Sequence, residues 1–366
     1  MNTIFSKPRE NHVDIIKGFA IIAVVLLHIN FSFTNNDVVN VYGLLGGQWH
    51  VAVFFLVSGF FLKEERLKHP WQFMKPKVKN LYLKAMWIYI PLVLLHNVFL
   101  KWGWLYPDVI YNNRYLHVFS GVEYVTHLVS QFLFFWREPF SGAMWYVDSL
   151  LFALTVYSVG TWIVSKLTMT ETLQKKIVGF GIVLLATISG IASNHFGITI
   201  PKFSNVFTGL LLIYVGRITW GGHFLKSFDD KWLLALCLLV FYQYNLFDGC
   251  MALNNNKFHD MVHLVVCSWS AMYILGFIGK KIQYSWFGKT IAYVGKESFW
   301  VMGLHMVGFH AFTQILSFVG VFDSVRPHFT TPLLYNHWLL IGYLTASITF
   351  SLGLVWMTRK AFSIFK

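Results

Sequence analysis

The sequence predicts an all-α fold: a polytopic transmembrane bundle of about ten helices, with both termini in the cytoplasm. Three observations lead there. The 366 residues are 56% hydrophobic and 19% aromatic but only 12% charged, too few charges to cover a soluble surface. Ten apolar stretches are long enough to cross a bilayer. The cations, which give a net charge of +13, gather in short segments between alternate stretches. That pattern belongs to membrane topology and argues against a nucleic-acid partner.

The first stretch, 13–33, follows Lys7 and Arg9. It is longer than a signal-peptide core and no small-x-small cleavage site follows, so it reads as a retained helix. The others are 45–63, 80–100, 143–166, 176–195, 203–220, 231–247, 260–279, 294–318 and 334–358. A shorter run, 122–136, reads as re-entrant or interfacial. No repeat or linker divides the chain, which is expected to be one integral-membrane domain over 1–366. With the N-terminus inside, 21 of the 29 Lys and Arg residues fall in inner segments and six in outer ones. Lys84 and Lys296 stand at cytoplasmic helix ends. This bias sets the orientation and favours an even number of spans. Cys237, Cys250 and Cys267 show no paired spacing and read as small buried hydrophobes, without a disulfide framework.

Ionisable residues at membrane depth are costly and mark function. In the first helix Lys17 and His28 are eleven residues apart. Eleven residues are close to three full turns, so the two share a face about 16 Å apart along the axis. Asp14, one turn before Lys17, can pair with it. The second helix carries His50 in its outer third and Ser58 and Gly59 near its middle. The fourth places Asp148 near its outer end. The ninth carries Ser298 and His305, seven residues apart on one face, and His310 further out.

With the topology imposed, His28, His50, Asp148, His263 and His305 map to the middle or outer half. Lys17, Lys77, Lys79, Lys84, Arg217 and Lys296 map to the inner end. Inner cations follow from topology alone, but they could also hold the phosphates of a cytoplasmic donor. An imidazole above them could act as a base or nucleophile. His259 and His263 form HxxxH, without the glutamate of the zinc-protease motif; no metal is assigned. The aromatic outer segment 101–142 reads mainly as an interfacial belt, with sugar stacking as the alternative. A polysaccharide transporter or exporter is the rival reading. The lack of internal repeats and of Gly/Pro-broken helix pairs argues against it.

The segment VDIIKGFAIIAVVLLHINF, with Asp14, Lys17, Gly18 and His28, resembles the opening of the membrane acyltransferase-3 family. That family includes O-acetyltransferases of bacterial surface polysaccharides. Its usual arginine is replaced here by Lys17, which cannot make the planar two-point contact to phosphate. The resemblance continues in WHVAVFFLVSGFFL (His50, Ser58, Gly59), in MWYVDSLLF (Trp145, Asp148) and in YVGKESFWVMGLH (Gly295, Lys296, Ser298, His305). It spans nearly the whole chain in the family's order.

The resemblance implies about ten helices in a bacterial inner membrane and acetyl-CoA as a donor entering from the cytoplasm. The implied acceptor is a hydroxyl of a lipid-linked or surface glycan such as lipopolysaccharide O-antigen, capsule or exopolysaccharide. It implies His28 as the base or acyl acceptor, with His50, Asp148 and His305 orienting the base or the sugar. Lys17, Ser58, Lys77, Lys79, Lys84 and Lys296 would serve the donor.

Overall fold

The computed structural model describes residues 11–30, 49–107, 110–111, 114–199, 203–221, 228–246, 253–258, 260–321 and 337–364. In chain order they form α1 (Asn11–Asn30), α2 (Trp49–Phe60), α3 (Glu64–Leu67) and α4 (Pro70–Lys77). A π-helical turn (Val78–Tyr82) then leads into α5 (Leu83–Leu94) and α6 (His96–Lys101). A short antiparallel hairpin pairs Ile110 with Tyr115 and Tyr111 with Arg114. There follow α7 (Gly121–Phe132), a 3-10 turn (Pro139–Met144), α8 (Trp145–Ser165), α9 (Glu171–His195) and α10 (Ser204–Gly216). A second π-helical turn (Arg217–Gly221) precedes α11 (Lys231–Leu246), α12 (Met261–Ile282), α13 (Trp286–Lys296), α14 (Ser298–Phe318) and α15 (His337–Ile364).

The protein is a helical bundle. Among the described residues, six helices are long and apolar enough to cross a membrane: Asn11–Ile29, Pro139–Ser165, Glu171–His195, Met261–Ile282, Ser298–Phe318 and Trp338–Lys360. Trp49–Phe60 and Lys231–Gln243 are shorter apolar helices. The expected spans 80–100 and 203–220 are helices joined to π-helical turns, with Pro91 inside α5. Pro91 removes the bond to the carbonyl four residues before it, and a separate break follows at Leu95, whose N–H still donates to the Pro91 carbonyl at 2.9 Å. Both π turns place one extra residue in a helical turn, a local irregularity often retained where a helix carries function.

Local chemistry marks the helix starts. Ser120 and Glu123 form a capping box on α7. The side chains of Thr170, Asp260 and Ser285 accept from the backbone N–H groups of Leu173, His263 and Gly288. Each satisfies a donor the helix cannot satisfy internally. The apolar side chains Val122, Val125 and Val129 of α7 are exposed, as suits a helix lying at an interface.

Two packing blocks position the interior. α1 is the hub of one, touching α2, α12, α13, α14 and α15. In the other, α10 packs against α2, α8 and α9. Small residues allow the closest approaches, as expected where helices associate within a bilayer. A side chain at Gly59 would strike the backbone of Ile213 and Arg217, and one at Gly216 would strike the backbone of Leu56.

The expected span 294–318 is corrected in one respect. Residues 294–296 belong to α13, and the chain breaks at Glu297 before α14 begins. Glu297 is buried and takes two hydrogen bonds from the Arg359 guanidinium of α15, at 2.9 and 2.8 Å. This two-point contact anchors the break.

Candidate active site

His28 on α1 and His305 on α14 face each other, with ring centroids 5.0 Å apart and planes inclined by 45°. His305 is 0% exposed. Its Nδ1 donates to the Val301 carbonyl at 2.9 Å, which fixes the tautomer of the neutral ring and leaves Nε2 as its acceptor. That Nε2 is buried with no hydrogen-bond partner among the described residues. His50, buried on α2, lies near enough to act on His28 electrostatically. It sits beside the ring of Trp49, 6.4 Å away. Three histidines from three helices therefore converge. A cluster of imidazoles in an apolar interior suits proton transfer.

Toward the C-terminal end of α14 the walls become aromatic. His310 packs against Phe140 at 4.9 Å and Trp104 at 5.7 Å. Trp104 in turn stacks on Phe99 with planes 6° apart.

Asp148 is turned to other partners. Its Oδ2 accepts from Arg137 Nε and Nη2 at 2.7 and 2.6 Å, and its Oδ1 accepts from the Tyr89 hydroxyl at 3.0 Å. The carboxylate is 2% exposed, so its two charge-assisted bonds with Arg137 are what make its burial tolerable. Ser58 Oγ donates to the Phe54 carbonyl at 2.8 Å and lies 3.5 Å from the Tyr146 hydroxyl. Arg137, Tyr89 and Tyr146 were not among the candidates drawn from the sequence. Nothing local distinguishes them, because each acquires its role through a partner on another element.

At the other end of α1, Lys17 Nζ is 2.6 Å from Asp14 Oδ1, the pairing their spacing allows. The backbone around Lys17 meets that of α13. A side chain on Gly295 would strike the Asp14 carbonyl and approach the Gly18 nitrogen, and one on Gly18 would strike the Ile291 carbonyl. Lys296 is therefore carried on the segment pressed against Lys17, although its own side chain is exposed. Lys79 and Lys84 are also exposed. Lys77 is half-buried, its ammonium 5.7 Å from the Phe73 ring centroid. Burial, then the nearby Arg66, lowers its pKa from the ordinary lysine value. The structure thus brings His28, His305 and His50 together and groups Lys17 with the Gly295–Lys296 segment. It ties Asp148 to Arg137. His259, from the HxxxH pair, lies outside the described residues.

A family model described as an acyltransferase domain, acyltransferase 3, matches residues 10–358. The chain belongs to the acyltransferase-3 family. It is accordingly a multi-pass membrane acyltransferase, and the match takes in all four segments that carry His28, Gly59, Asp148 and His305. No curated protein and no solved structure matches the chain. Within this acyltransferase, the meeting of the α1 and α14 histidines is the arrangement best suited to moving a proton during acyl transfer.

Proposed function

We propose that this acyltransferase moves an acetyl group from cytoplasmic acetyl-CoA to a hydroxyl of a cell-surface glycan, working in a bacterial cytoplasmic membrane. The observation that carries the reading is the 5.0 Å approach of His28 and His305 on two apolar helices long enough to span. His28 accepts the proton of the acceptor hydroxyl as its oxygen attacks the thioester carbonyl. The tetrahedral intermediate collapses, the C–S bond breaks, and the departing thiolate takes a proton back from the imidazolium. His305, its Nδ1 committed to Val301, receives charge or orients the acceptor through Nε2. His50 completes the polar wall.

Asp148 acts on the site from behind, through the Arg137–Tyr89 network. Lys17, Lys77, Lys79, Lys84 and Lys296 give the inner end a positive potential that draws a phosphorylated donor to it, and Ser58 lies along the way. The outer aromatic walls suit a sugar face.

The test is O-acetylation of surface glycans, read by mass spectrometry, in cells carrying wild-type protein or His28→Ala at equal levels in the membrane. Loss of the acetyl mark in the variant is expected. Full acetylation with His28→Ala would sink the assignment. A mark of different mass in wild-type cells would replace acetyl by another acyl group.

A further inference from the structure

A polar cavity lies away from the histidine cluster, at the end of the bundle where α3, α8, α9 and α10 meet. Its volume is about 480 Å³, and its walls include Glu64, Lys68, Tyr157, Lys175, Tyr214 and Arg217. That is within the size range of small-molecule sites. Three cations from three different elements reach it, against two acids, Glu64 and Glu171.

We propose that this cavity binds a phosphate-bearing ligand, either the nucleotide end of the acyl donor or the headgroup of an anionic lipid. In its donor form the proposal rests on the acyl-transfer reading above; in its lipid form it does not.

Several independent features support it. Arg217 is 15% exposed at its side chain and gives Nη2 to Glu64 at 2.7 Å. Its Nε is buried with no hydrogen-bond partner among the described residues, a donor left over inside the protein that calls for an acceptor. Lys175 contacts Glu64 at 3.3 Å and Glu171 at 3.2 Å, and Lys68 contacts Glu171 at 3.5 Å. These acids hold the cations in place around the cavity. The Glu171 side chain is 55% exposed and can turn to water when an anion enters.

The cavity also opens at the first turn of α9, capped by Thr170, where backbone dipoles favour negative charge. The C-terminal end of α2 reaches this site from behind through Gly59. Gly59 lies against the Arg217 backbone nitrogen, which a Cβ at Gly59 would approach to 2.8 Å. A glycine there fixes where Arg217 starts. By contrast, Lys79, Lys84 and Lys296 are exposed side chains and do not line this cavity.

The experiment uses the full-length protein in non-ionic detergent and in nanodiscs. Adenosine bisphosphate is titrated calorimetrically into wild type, Arg217→Gln, Arg217→Lys and Lys175→Gln. Retention of phosphatidylglycerol is read by native mass spectrometry on the same four proteins. Lys175 is half-exposed, so its variant should fold even if Arg217→Gln does not.

Nucleotide binding weakened roughly tenfold by Lys175→Gln, as loss of one charged hydrogen bond implies, supports the donor form. Wild type that ignores the nucleotide but keeps phosphatidylglycerol, which Lys175→Gln releases, supports the lipid form. Binding of both ligands unchanged in Lys175→Gln and in any Arg217 variant that folds, or absent in wild type, overturns the proposal. Acetyl transfer is assayed on the wild type in parallel. A protein that binds at the cavity but transfers nothing counts against the acyl-transfer reading alone.

Discussion

Gly18 of α1 and Gly295 of α13 meet backbone to backbone, each at a point where a side chain would strike the opposite helix. Glycine inside a helix costs about 1 kcal/mol relative to alanine, so the contact must return more than that. It places Lys17 beside the Gly295–Lys296 segment and sets how α1 sits beside α13, which leads directly into α14. Gly295→Ala should push α1 and α13 apart, cost about 1–3 kcal/mol as overpacking does, and move His28 away from His305. Thermal unfolding in detergent and acyl transfer measure both effects. Unchanged melting and unchanged transfer would show that the helices slide apart without consequence.

The tautomer of His305 gives a second prediction. With Nδ1 donating to Val301, the ring acts through Nε2 alone. Removing it in His305→Ala should lower kcat by roughly a hundredfold, within the usual range for an acid–base group, and should leave KM for the donor nearly unchanged. A loss confined to KM would assign His305 to binding and leave proton handling to His28 and His50.

What could be read in the sequence depended on whether a relationship is local. The apolar runs and their cation bias needed only neighbouring residues. So did the Asp14–Lys17 pair, three residues apart and in contact at 2.6 Å, and the shared face of Lys17 and His28 on one continuous helix. Relationships between helices were not legible. Periodicity shows that His305 lies on a face but not that the face meets His28. It gave no sign that Asp148 would be claimed by Arg137, which arrives from the stretch just before the 3-10 turn. The break at Glu297 was hidden for the same reason. The run 294–318 looks continuous, and the Arg359 that anchors the break comes from the last helix.

Asp148 illustrates how such a hidden pair behaves. If its carboxylate exists to hold Arg137 and Tyr89, Asp148→Asn leaves a guanidinium without its counter-charge. Breaking a buried pair costs about 3–5 kcal/mol, so the variant should melt at a clearly lower temperature. The double variant Arg137→Gln/Asp148→Asn should lose less than the sum of the two single variants. Additive losses would mean that the two residues act separately. Loss of transfer without loss of stability would return Asp148 to the acceptor side.

The segment 115–119 should respond to pH, and the direction follows from Glu138. This carboxyl is buried, with Oε1 and Oε2 at 3.0 and 3.1 Å from His96 Nδ1. Nε2 of the same ring donates to the His117 carbonyl at 3.0 Å. His96 also stacks on Phe119 with centroids 3.6 Å apart. Asn97 binds both backbone groups of Phe119, so the stretch 115–119 is clamped to α6 here. Burial pushes the Glu138 carboxyl up to about 7, with the hydrogen bond to His96 pulling the other way. A raised acid keeps in the folded state a proton that the unfolded chain gives up near the ordinary value of 4.5. Stability is therefore full below that value, falls as pH rises toward about 7 and levels off above it. The protection factor for hydrogen exchange over 115–119, with the intrinsic pH dependence of exchange divided out, should fall between pH 5 and pH 8. Glu138→Gln, whose amide can donate to the ring nitrogen at any pH, should flatten the profile. A wild-type profile that is already flat across this range would mean that the Glu138 proton does not control the clamp.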